Sequence, residues 1–156
     1  MRLQALLVSA LIALATPAFA DPVTANDPNS LVKALQNAGY RALLDKDKDG
    51  DPKIATASGG NDIDIYFYGC TKNAACSYIE MAIVWKCEAD MLDKCKTINS
   101  KWNTEERFIQ SVMTNDNIGI YYFLDLDVGG MSSELFIDNI KVMSDSAAEM
   151  QKRFKS

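Results

Sequence analysis

Residues 61–86 read NDIDIYFYGCTKNAACSYIEMAIVWK, and two short runs in this stretch decide the fold. In the first, Ile63, Ile65 and Phe67 alternate with Asp62, Asp64 and Tyr66. In the second, Ile79, Met81, Ile83 and Trp85 alternate with Tyr78, Glu80 and Lys86. A period of two marks a strand with one buried and one wet face. Thr71-Lys72-Asn73-Ala74-Ala75 then reads as the loop of a hairpin, with Cys70 and Cys76 facing each other at its neck. Facing positions of an antiparallel pair lie at a spacing that suits a disulfide.

Toward the N-terminus, Ser58-Gly59-Gly60-Asn61 is a turn signal, and residues 53–57 begin another strand. Residues 45–52 are an Asp-rich turn, and residues 40–44 a short strand before it. The strand follows a helix capped by Asn29 or Ser30, with Leu31, Val32, Leu35 and Ala38 on one face. Gly39 stands where a left-handed residue ends such a helix. Toward the C-terminus, Met91, Cys95, Ile98 and Trp102 fall at helical spacing. Residues 107–114 and 118–128 form a second hairpin around Asn115-Asp116-Asn117. After Gly129-Gly130, the stripe Phe136, Ile140, Met143, Ala147, Met150 and Phe154 makes a long amphipathic helix. The order is helix, four strands, helix, two strands, helix. That pattern predicts an α+β fold, a two-layer sandwich of helices on an antiparallel sheet. It forms a single domain over residues 29–156.

The first twenty residues are read as an address. Met1-Arg2 is followed by the apolar run 3–15, a break at Pro17 and small residues at Ala18 and Ala20, the pattern of a cleaved secretory signal peptide. Residues 21–28 are a polar segment with two prolines, expected to be a flexible leader. The expected location is periplasmic or secreted, with no membrane insertion after cleavage. In that oxidising setting Cys70, Cys76, Cys87 and Cys95 should form disulfides. Of the three possible pairings, the strand pattern favours Cys70–Cys76 with Cys87–Cys95. The gaps lack the C-x2-C spacing of zinc or redox centres.

Composition narrows function by exclusion. Acidic residues outnumber basic ones 21 to 16, which argues against a nucleic-acid surface. The absence of histidine removes histidine-based triads and ligands. Asp45-Lys46-Asp47-Lys48-Asp49-Gly50 matches the first half of a calcium loop. However, position 12 is Thr56 rather than glutamate, and Pro52 interrupts the motif. A charged hairpin turn is the simpler reading, and a cation site on Asp45, Asp47 and Asp49 the alternative. Asp62/Asp64 and Asp125/Asp127 share strand faces without an apolar setting that would tune them for acid–base work. Tyr66, Tyr68, Tyr121 and Phe123 fall on strands and are the candidate partner-binding residues.

Several of these residues together resemble a known family. Tyr40-x-Ala42-x-Leu44, Gly50-Asp51-Pro52-x-Ile54 and Phe67-Tyr68-Gly69-Cys70 with Cys76 are similar to the secreted branch of the YbjN family. So are Ile98-Asn99-x-x-Trp102-Asn103-x-x-x-Arg107-Phe108, the most specific part, and Asp125-x-Asp127-x-Gly129-Gly130. The likeness runs from about Leu31 to Phe154. It implies a fold like class I type III secretion chaperones, binding of other polypeptides, often as a dimer, and no catalytic residues or cofactor. In residue terms, Trp102 should close the core where the middle helix ends, and Asn99 and Asn103 should satisfy open backbone groups. Arg107 should pair with a carboxylate, and Phe108 should start the next buried strand. The expected function is a non-enzymatic exported protein that binds a polypeptide through an open sheet edge or aromatic face. A homodimer by edge pairing is also expected.

Overall fold

The computed structural model describes residues 22–127 and 129–156, so the expected signal peptide lies outside the described residues. The chain runs α1 (Pro28–Asn37), β1 (Leu43–Lys46), β2 (Pro52–Ser58), β3 (Asn61–Tyr68) and β4 (Tyr78–Lys86). After a short 3-10 turn it continues through α2 (Leu92–Glu105), β5 (Gln110–Thr114), β6 (Asn117–Asp125) and α3 (Ser133–Lys155). One antiparallel six-stranded sheet results, in the order β1-β2-β3-β4-β6-β5. The order of elements is the one expected from the sequence. Among the described residues no helix is long and apolar enough to cross a membrane.

The alternation in β3 and β4 sorts side chains as their period requires. Ile63, Ile65, Phe67, Ile79, Met81 and Ile83 point inward and are buried, joined by Ile54, Ile118 and Ile120. Each such side chain contributes about 1.5–3 kcal/mol when withdrawn from water. All three helices cover this inner face, α1 against β1 and β2, α2 against β5, and α3 across β2 and β6. The α3 stripe Phe136, Ile140, Met143, Ala147 and Met150 is fully buried. Cys87–Cys95 ties the end of β4 to α2, and Cys70–Cys76 closes the β3–β4 loop.

Several local expectations need correction. The segment 22–28 is not a loose leader. Val23 and Ala25 are 1% and 0% exposed, and Val23 exchanges two backbone hydrogen bonds with Met131. Their apolar side chains reach the core, so the segment folds with it. The cap of α1 is Asp27, whose side chain accepts from Asn29 N–H, because Pro28 occupies the first helical position. Gly39 does take the left-handed turn, but Tyr40 N–H still bonds to Leu35 C=O, so β1 starts only at Leu43.

Phe108 is 80% exposed and does not start a buried strand; Ile109 takes the inward position and β5 begins at Gln110. The cause is Trp102, whose buried Nε1–H donates to Ile109 C=O at 2.8 Å and sets the phase of the strand. Arg107 has no ion pair among the described residues. The arginine that does is Arg153, which bridges Glu105 and Glu106 at 2.8 Å and lies over the Trp102 ring at 4.9 Å. It locks the end of α3 to the end of α2. Trp102 thus closes the core as expected, whereas the buried Asn99 side-chain oxygen has no hydrogen-bond partner among the described residues.

Candidate binding face

With every helix of the described residues on one side, none of them covers the other side of the sheet. Its residues follow from the register. Opposite Glu80 stand Tyr66 on β3 and Phe123 on β6; opposite Tyr78 stand Tyr68 and Asp125; opposite Ala82 stand Asp64 and Tyr121. Leu43, Val84 and Val112 extend the apolar area outward, and Phe123 itself is 53% exposed. The register therefore brings the expected partner-binding residues Tyr66, Tyr68, Tyr121 and Phe123 onto one face. It adds two that the sequence reading passed over, Tyr78 and Glu80. Tyr78 stacks on Phe123 with centroids 5.3 Å apart. The Tyr121 ring lies over Gly119, where a β-carbon would collide with it.

Electrostatics on this face centre on two carboxylates. Asp64 holds Lys53 at 2.9 Å and accepts from the Tyr66 hydroxyl, and Lys53 also sits 5.0 Å from the Tyr66 ring centre. Burial opposes the Lys53 charge, but Asp64 outweighs it and raises the lysine pKa. Glu80 accepts from the Tyr68 hydroxyl at 3.3 Å. Burial raises the Glu80 pKa against the lowering effect of that hydrogen bond. Burial first, then the Glu80 charge, push Tyr68 up to about 12, so it stays a donor at neutral pH. Tyr66 and Tyr121 are raised by the same burial and then by Asp64 and Glu80 respectively.

The sheet edges are less open than the face. At β5, Asn103 accepts from Ser111 N–H and donates to Ser111 C=O, both at 2.8 Å, so one side chain stands in for the next strand. Trp102 occupies the neighbouring Ile109 carbonyl in the same way. At the other edge β1 has only four residues, and Lys46 N–H turns to the Asp45 carboxylate. Short, charged or capped edges resist strand addition.

Asp45, Asp47 and Asp49 are not brought together around a common point. Asp47 spends a carboxylate oxygen on Asp49 and Asp51 N–H, both at 2.9 Å, which is the hairpin-turn reading. Asn73, from the disulfide-closed loop, braces this turn through Asp49 C=O and Asp51. Among the described residues no group of three or more acids or cysteines is placed to hold a metal ion. Asp125 caps Asp127 N–H at the end of β6, so that doublet is a turn device.

Comparison with known proteins speaks to the family and the fold. The sequence matches the YbjN family, described as "Putative bacterial sensory transduction regulator", over residues 27–156. The chain belongs to the YbjN family. No curated protein sequence matches it. Among solved structures it is similar to the crystal structure titled "YbjN, a putative transcription regulator from E. coli". That likeness has a TM-score of 0.60 and 11% identity over 80% of this chain and 87% of the other, so it speaks to the fold alone. The YbjN match starts at Asp27, the cap of α1, and includes the whole sheet. Within it, residues 98–108 are the part of α2 and its exit that seals the β5 edge.

Proposed function

We propose that this YbjN-family protein is a non-enzymatic, exported, regulator-like protein that holds a polypeptide against the uncovered face of its sheet. One observation carries the reading: on the outer face Tyr68 beside Tyr78, and Tyr66 and Phe123 on either side of Glu80, form one aromatic patch across β3, β4 and β6, with Val84 exposed further along β4, while the helices of the described residues pack on the opposite side. Contiguous exposed apolar surface of this kind marks an interaction site. Export is supported by the leader pattern at residues 1–20 and by two disulfides in the folded chain.

The test is retention of a partner from a cell-envelope extract by the immobilised protein, run beside Phe123→Ser and Val84→Ser variants. A partner held by the native chain and released by both variants supports the reading. A partner held equally by the variants places the site elsewhere and overturns it.

A further inference from the structure

The docking face has a chemical preference at its centre. Glu80 lies between Tyr66 and Phe123, one on each neighbouring strand, and its carboxylate is held by the Tyr68 hydroxyl. A half-buried carboxylate among rings normally finds a cation of its own chain, because charge withdrawn from water is costly unless paired. Here it does not: the Lys53 ammonium is taken by Asp64, and no other basic side chain among the described residues reaches Glu80. Asp125, diagonal to Glu80 at the end of β6, also has no cation among the described residues, so this part of the face carries negative charge set among aromatic rings. A cation is favoured over such rings electrostatically, and more so beside a carboxylate. The adjoining niche already displays this chemistry inside the molecule, where Lys53 lies over Tyr66 and against Asp64.

We infer that Glu80, with Tyr66, Tyr68 and Phe123, is the seat for a basic side chain of the docked polypeptide, best filled by an arginine. The planar guanidinium lies flat on Tyr66 or Phe123 while its N–H groups reach the Glu80 carboxylate. Lysine fits the same charge with a smaller contact. The inference rests on the docking face proposed above and names what that face recognises.

The probe is N-acetyl-arginine amide, titrated into the full mature protein while the Glu80 carboxyl and the Tyr66, Tyr68 and Phe123 ring signals are followed by NMR. Saturable shifts at these groups in the millimolar range are expected, absent with the neutral isostere N-acetyl-citrulline amide. Glu80→Gln should weaken binding by about tenfold or more, as loss of a carboxylate partner beside a cation–π contact requires. Unchanged thermal unfolding of that variant or a rise in its Tm excludes a folding defect.

Equal binding of the citrulline amide, or no saturation by the arginine amide, overturns the seat. So does tight binding of tetramethylammonium with none of the arginine amide, which would assign the rings to a small quaternary cation instead. The two readings fail separately. A partner released by Phe123→Ser yet retained by Glu80→Gln keeps the face and discards the seat.

Discussion

Glu80 is a half-buried carboxylate set among aromatic rings. Burial raises its pKa, so the folded chain binds the Glu80 proton more tightly than the unfolded chain does. A group raised in this way adds stability below its unfolded value, near pH 4.3, and that contribution is lost as pH rises through the folded value. At neutral pH the ionised carboxylate therefore weighs against folding. Glu80→Gln keeps an acceptor for Tyr68 and removes the charge, so its Tm at pH 7 should exceed the native one by about 1–3 °C. The gain should shrink as pH falls below the ordinary carboxylate range, because the raised pKa lets the folded chain protonate Glu80 first. Asp64, Asp125 and Lys53 stay unaltered in both proteins, so the difference between the two pH profiles isolates Glu80. Thermal unfolding from pH 3.5 to 8 checks this, and a Tm that falls at pH 7 refutes it. At this scale the sequence was half legible. Trp102 could be placed because it continues the Met91, Cys95 and Ile98 stripe at helical spacing. Phe108 and Arg107 could not, because the inward position falls to Ile109, whose carbonyl accepts from Trp102, and leaves Phe108 outside. Glu80 was invisible as a site, since its ring neighbour Phe123 is 43 positions away and arrives only through the β4–β6 pairing.

Elements were more legible, because each carries its own period. The β3 and β4 alternation, the α3 stripe and the Gly39 stop are local patterns, and the structure reproduces them. What local pattern does not encode is how an edge is finished. Nothing in the β5 sequence QSVMT blunts it: it has no charge, proline or glycine. The protection comes instead from α2, where Asn103 presents both a donor and an acceptor to Ser111. Asn103→Ala should cost about 1–2 kcal/mol through the two lost hydrogen bonds. It should also free the Ser111 backbone as a template for another strand. Two readouts follow from one substitution: a lower denaturation midpoint, and association that grows with protein concentration in sedimentation velocity. A variant as stable as the native chain would show that water replaces Asn103 without loss.

The molecule as a whole is an asymmetric sandwich, sealed on its helical side and open on the other, and its closure depends on a segment that composition alone labels as a linker. Residues 22–26, with Pro22, Thr24 and Asn26, have the look of a linker only in part. Val23 and Ala25 enter the core, and Val23 pairs with Met131 across the approach to α3. Gly130 makes that approach possible, since a β-carbon there would run into the Val23 carbonyl. The folded unit therefore begins before Asp27, where the family match begins. A chain starting at Asp27 should lose about 2–4 kcal/mol relative to one starting at Pro22, from the two buried side chains alone. The loss is separable from any general effect of trimming by coupling it to Gly130→Ala. In the longer chain that substitution meets both a left-handed backbone, φ 61°, and the Val23 carbonyl; in the shorter chain only the backbone cost remains. Gly130→Ala should thus be more damaging in the longer chain, a non-additivity that chemical denaturation of the four proteins measures directly. Equal cost in both backgrounds would mean that Val23 and Gly130 do not meet, and that the N-terminal segment stabilises the sandwich by burial without holding the entrance to α3.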